Sequence, residues 1–165
     1  MKRRPTSGFT LAELMMVVAL MAGIMMVAVP LLIHTGRFFW LNRTRVELQR
    51  AAREVMDTVT KNLRQAQSST IVIDRLNVNQ PYYSRLSFTT INGLSLTYAL
   101  NGTLLQETRG GKTRTLSDDA RFVNFYLPKS SDMTIISVSL TFEKAIYQGK
   151  TKALHVASER VRVMN

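Results

Sequence analysis

Between Leu14 and Ile33 the chain reads LMMVVALMAGIMMVAVPLLI, twenty residues without a charge. At about 1.5 Å of rise per helical residue, such a run matches a bilayer hydrocarbon core of roughly 30 Å. Lys2, Arg3 and Arg4 precede it. Positive charges at this end predict a cytoplasmic N-terminus and outward passage of everything after Ile33. A secretory signal peptide also begins with a basic region and an apolar run. This run is long for one, and Val27-Ala28-Val29 makes a poor small-x-small cleavage site. The reading is a retained single-pass segment.

Composition narrows the chemistry of the rest. There is no cysteine, which excludes disulfide scaffolds, CxxC redox sites, Cys-ligated zinc and lipid attachment at Cys. The two histidines are His34, read as an interfacial residue, and His155, which alternates with apolar neighbours and has no His or Cys nearby. Asp118-Asp119 could help bind a cation, but calcium takes six to eight oxygens and few others are in sight. A solvated turn is the favoured reading there. No GxSxG, HExxH, GxGxxG or Walker pattern occurs. The sequence therefore predicts no enzyme, no cofactor and no metal.

Glu13 is the anomaly. It opens the apolar run in Gly8-Phe9-Thr10-Leu11-Ala12-Glu13-Leu14. A carboxylate carried into a bilayer is costly, so it either snorkels, stays protonated, or has a partner. The sequence GFTLAEL after a short basic leader resembles the type IV prepilin signal, shared by type IV pilins and type II secretion pseudopilins. That resemblance implies a membrane peptidase that cuts between Gly8 and Phe9 and methylates the new N-terminus at Phe9. It also implies that Glu13 is the family's assembly glutamate and Pro30 its helix-kinking proline. In such filaments the N-terminal helices pack in the core. A buried carboxylate is tolerated there if it meets a cation, and the α-amino group of a neighbour's Phe9 is one. The pair would set axial register, as a single polar residue does in a coiled coil. Cleavage also removes the three leader cations, which lowers the cost of leaving the membrane.

After Ile33 the pattern stays helical but turns polar. Leu41, Arg45, Leu48, Ala52, Val55, Val59, Leu63 and Ala66 recur at spacings of three or four, and no Pro or Gly interrupts residues 37 to 67. The opposite face carries Arg43, Glu47, Arg50, Glu54, Asp57, Lys61 and Arg64. Glu47 and Arg50 have the spacing of an i, i+3 pair. The spacing predicts one helix from about Phe9 to about Gln67, with bends at Gly23, Pro30 and Gly36. Its outer stripe should pack on a sheet, since Ala and Arg stand where a coiled-coil seam would want Leu.

From residue 69 onward, β-branched and aromatic residues alternate with polar ones. Strands are expected at 70–73, 85–89, 94–100, 123–126, 134–142 and 154–163. Asn101-Gly102 is the strongest hairpin signal, since a type I′ turn takes such a pair. Gly110-Gly111 marks another turn, and 147–150 joins the last two strands. The chain is thus expected to comprise a leader (1–8), a transmembrane and filament-core helix (9–33), an extra-membrane amphipathic helix (34–68) and a β-rich domain (69–165). This is an α+β, pilin-like order, a long N-terminal helix packed on an antiparallel β-sheet. SLTYALNGTLLQET, LSDDARFVNFYL and the closing RVRVMN, with RVELQRAAREVMDTVTKNLRQA before them, are similar to J-type minor pseudopilins and W-type minor pilins.

That resemblance implies a minor subunit in the tip or initiation complex of a secretion pseudopilus or a pilus. Its implied partners are the prepilin peptidase/methyltransferase, other minor and major pilins, the inner-membrane assembly platform and the lipid bilayer. Its implied place is the bacterial inner membrane, with the C-terminal domain periplasmic, and then the filament. The net charge of +11 falls to +8 once Lys2, Arg3 and Arg4 are gone. Arg37, Arg43, Arg45, Arg50, Arg53, Lys61 and Arg64 load the outer helix, either facing anionic headgroups or pairing with acidic neighbours. A DNA-uptake pilin that grips phosphates is a less favoured alternative, because the basic residues Arg109, Lys112, Arg114, Lys150 and Lys152 lack aromatic interleaving for stacking. A single-pass membrane protein that never assembles is the other.

Overall fold

The computed structural model describes residues 9–146 and 151–163. One helix, α1 (Leu11–Leu63), comes first, then a 3-10 turn (Ser68–Thr70). Eight strands follow: β1 (Val72–Asp74), β2 (Arg85–Thr89), β3 (Ser95–Asn101), β4 (Leu104–Arg109), β5 (Lys112–Ser117), β6 (Ala120–Tyr126), β7 (Ile135–Ile146) and β8 (Thr151–Arg162). The protein is α+β, with one long N-terminal helix and antiparallel sheets on which it packs, in the order expected of a pilin-like chain. The chain divides into two compact units, Met1–Trp40 and Leu41–Asn165.

In the first unit the helix runs through Gly23, Pro30 and Gly36 without ending. Pro30 has no N–H to donate to the turn before it. Thr35 Oγ1 donates to the Leu31 carbonyl at 2.9 Å, one turn further on.

In the second unit the helix buries Thr44, Leu48, Ala52, Val55, Met56, Val59, Thr60 and Leu63. This is the anticipated stripe with one correction. Arg45 is exposed and Thr44 takes the inward position, because a short hydroxyl side chain can be buried where a guanidinium cannot be left unpaired. Glu47 pairs with Arg43 at 3.2 Å, the i, i+4 partner, rather than with Arg50. The helix stops at Leu63, short of Gln67, because the following backbone is claimed by the sheet. Ile91 N–H donates to the Gln65 carbonyl and Gln67 N–H to the Thr89 carbonyl, both at 2.9 Å.

The strands form two sheets where one was anticipated, in the orders β1-β2-β3-β4-β5 and β6-β7-β8. Register shifts at Leu105/Gln106 and Ala120/Phe122 lie on either side of the break. Such irregularities bend and twist a strand, which redirects the chain out of the first ladder. Two backbone bonds still tie β6 to the first sheet region, Ala120 N–H to the Thr103 carbonyl and Phe125 N–H to the Tyr83 carbonyl. Leu86, Phe88, Leu96, Leu100 and Leu105 from the first sheet join Val123, Phe125, Ile136, Val138, Leu140 and Phe142 from the second in one core with the helix stripe.

Two turns differ in how well the sequence announced them. Arg109 pairs with Lys112, so Gly110 and Gly111 form the two-residue loop, at φ +54° and +84°. Glycine takes both left-handed values without steric cost. Asn101 pairs with Leu104, which makes Gly102 and Thr103 the loop, one position later than anticipated. Gly102 has φ +64° and holds the first central position, where a type II′ turn takes glycine. Residues 147–150, the anticipated connection between β7 and β8, lie outside the described residues.

Candidate functional site

From Phe9 through Trp40 every residue is exposed except half-buried Ala28. Phe9 is 85% exposed, Leu20 62%, Ile24 62% and Leu32 71%. A surface helix normally hides one apolar stripe; this stretch is apolar on all sides and hides nothing within the chain. It is a helix long and apolar enough to cross a membrane. Contiguous apolar surface on this scale marks a membrane or a partner.

The start of that helix is built by Thr10 and Glu13. Thr10 N–H and Oγ1 donate to Glu13 Oε2 at 2.9 and 3.0 Å, and Glu13 N–H donates to Thr10 Oγ1 at 3.3 Å. This is a capping box: each residue satisfies the other's first-turn backbone donor. Phe9 and Leu14 occupy the positions of the apolar pair that often flanks such a box. The signature T-x-x-E is present in the sequence and gives Glu13 a local role beside the one the resemblance implies. Gly8 and the rest of the leader lie outside the described residues. Pro30 sits inside the helix, two turns before the first cation of its outer half, Arg37.

His34 is exposed on the helix, and His155 pairs opposite Phe142 between β7 and β8. Asp118 is exposed in the β5–β6 turn, whereas Asp119 Oδ2 lies 3.5 Å from Lys144 Nζ. Among the described residues, no group of three or more metal-ligating side chains converges.

The sequence reading missed a buried polar network. Glu107, on β4, is 1% exposed. Its Oε1 accepts from Tyr98 Oη at 2.8 Å and from Asn62 Nδ2 at 3.1 Å. Asn62 Nδ2 also lies 2.7 Å from Tyr98 Oη, and Arg114 Nε donates to Glu107 Oε2. The network joins the last turn of α1 to β3, β4 and β5. Burial, above all, pushes the Tyr98 hydroxyl far above the usual phenol range, against the opposing bond from Asn62. Alternation showed Glu107 on the same face as Leu105, and a carboxylate there was the available signal.

These elements define a class: a protein with one long apolar N-terminal helix, able to span a membrane, followed by an α+β unit with a closed core. No family model, curated protein or solved structure matches the chain.

Proposed function

We propose that the protein is a minor pilin-like structural subunit, built into the tip or initiation complex of a type II secretion pseudopilus or type IV pilus. In this reading a prepilin peptidase cuts between Gly8 and Phe9 and methylates Phe9. The subunit waits in the inner membrane with its C-terminal unit in the periplasm. It then leaves the bilayer through the assembly platform and packs its helix against those of other minor and major subunits. The observation that carries the reading is Glu13 on the first turn of a helix whose stretch up to Ile33 is apolar on every side and exposed but for half-buried Ala28. A carboxylate there is poorly suited to a plain anchor and well suited to a helix whose final neighbours are other helices.

One observation favours the second reading, a single-pass protein that never assembles. The capping box satisfies Glu13 within its own chain. Processing separates a prepilin from any other membrane protein. Co-expression with a prepilin peptidase should yield a chain beginning at Phe9, and Gly8→Val should leave the leader attached, because a branched side chain obstructs close approach of the backbone to the peptidase. A Phe9 N-terminus from Gly8→Val, or an uncut wild-type chain, would remove the prepilin assignment.

A further inference from the structure

Most cations on the sheets have a partner. Arg85 is paired with Asp74, Arg121 and Lys152 with Glu143, and Lys144 with Asp119. Arg75 covers the Tyr82 ring at 3.9 Å. Arg160 and Arg162 on β8 are also exposed without a salt bridge among the described residues, but they stand opposite Ser137 and Ile135, whereas the β4–β5 hairpin sets cation against cation. Arg109 and Lys112 stand directly opposite each other across the Gly110-Gly111 turn, both exposed, with no acidic partner among the described residues. Like charges so placed destabilise a hairpin. Positive charge on an edge strand is a common guard against stray pairing, and that explains Lys112 and Arg114 on β5. It does not explain Arg109, which lies on β4, inside the sheet.

Arg114 occupies the adjacent row on the same face, opposite Glu107. Its Nε is bound to the buried Glu107 carboxylate, itself held by Tyr98 and Asn62. The two terminal nitrogens of the guanidinium carry no bond among the described residues. A buried carboxylate thus orients an exposed guanidinium, the arrangement that presents a planar fork to an incoming oxyanion. Two rows of a strand are about 6.7 Å apart, so the three cations form one compact patch. Glu107 is the one acid between residues 95 and 117, and it is buried.

We propose that this hairpin is a phosphate-binding arm whose ligand is the backbone of duplex DNA. Residues 104–117 contain no aromatic side chain, so single-stranded bases have nothing to stack on. A two-stranded ribbon can lie along a duplex, and Arg and Lys beside its turn reach phosphate oxygens, contacts that position a protein without carrying sequence information. The chain's charge of +11 favours the same class of partner. Nothing in this inference depends on filament assembly.

The test uses the full chain in neutral detergent and a fluorescent 20-base-pair duplex, with anisotropy read across a salt series. Three phosphate contacts give a slope of about −2.7 in log affinity against log salt. Arg109→Ser with Lys112→Ser should weaken binding at least tenfold and flatten that slope by about 1.8. The control, Arg160→Ser with Arg162→Ser on β8, removes the same charge elsewhere and should leave both within twofold. Thermal unfolding of the hairpin variant should match or exceed wild type, since it loses a repulsion. Equal weakening in the two variants would reduce the effect to net charge and overturn the proposal. So would no duplex binding at low salt, or poly-L-glutamate competing as well as unlabelled duplex at matched charge, which would assign the patch to an acidic protein.

Discussion

Replacing Tyr98 by phenylalanine takes one oxygen out of the interior and leaves the ring. The ring is fully buried, and its hydroxyl donates to the Glu107 carboxylate at 2.8 Å while lying 2.7 Å from Asn62 Nδ2. After the change, Glu107 keeps Asn62 and Arg114 but loses its shortest neutral donor. Hydrogen bonds to a charged group contribute about 1.5–3 kcal/mol, and the carboxylate has no route to water for a replacement. The free energy of unfolding at pH 7 should therefore fall by about 1.5–3 kcal/mol.

The same substitution makes a second, sharper expectation. Tyrosine in an unfolded chain titrates near 10, whereas burial raises Tyr98 well above that value. Between the two values the unfolded chain has lost the proton and the folded chain keeps it. Stability held below pH 10 is therefore lost as pH rises toward the folded value, by about 1.4 kcal/mol per pH unit. The phenylalanine variant lacks this term, so its deficit should be full at pH 7 to 9 and shrink above pH 10. Urea unfolding followed by circular dichroism from pH 7 to 11 measures both effects. A variant within about 0.5 kcal/mol of wild type at pH 7, or a deficit unchanged up to pH 11, would refute the assigned role of the network.

Residues 37–165 alone should be soluble, monomeric and folded, because the outer helix stripe and both sheets share one closed core; loss of the β signal by circular dichroism would mean the stripe serves another partner. At Glu13, glutamine keeps the capping box while removing the charge, and leucine removes both. If a neighbour's Phe9 amine is the partner, Glu13→Gln and Glu13→Leu should both be cleaved normally and both be depleted from sheared filaments. Depletion of leucine alone would assign the residue to capping, and recovery of both at wild-type level would leave the anchor reading ahead.

The sequence was most legible where a single physical demand acts alone. An uncharged run long enough for a bilayer, a stripe at helical spacing and Gly110-Gly111 each admit few alternatives, and each appears where it was expected, but for Thr44 in place of Arg45 in the stripe. It was least legible where two registers satisfy the same alternation. Pairing Asn101 with Leu104 rather than centring the turn on Asn101-Gly102 moves β3 against β4 by two residues, which leaves every side chain on its face. The adopted register sets Glu107 opposite Tyr98, where the other would set Leu105. The polar network was only partly legible: Tyr98, Glu107 and Arg114 lie on successive strands and Glu107 showed as a carboxylate on an inward row, but Asn62 lies 36 residues before Tyr98 and only folding brings it there. Glu13 shows the converse. Its capping partner is three residues away, yet its likeness to a family glutamate drew attention to a distant partner instead.

The two ends of one helix obey different rules, and the difference bears on how such a subunit would leave a membrane. Beyond Leu41 the inward apolar stripe is satisfied by the chain's own core. Before Trp40 the apolar side chains are satisfied by nothing in the chain. Lipid tails and the apolar faces of neighbouring helices are close to equivalent surroundings for Leu, Met and Val, so moving this stretch from bilayer to helix bundle changes little in apolar burial. The balance then rests on the few polar groups that see the two environments differently. In the proposed assembly these are the leader cations, which favour the headgroups until cleavage, and Glu13, which favours a cationic neighbour. The capping box adds a third condition. Thr10 already occupies one carboxylate oxygen, Oε2, while Oε1 accepts no bond among the described residues. A neighbour's amine can therefore be received at Oε1 without dismantling the first turn, and local capping and intersubunit pairing become compatible roles for one side chain.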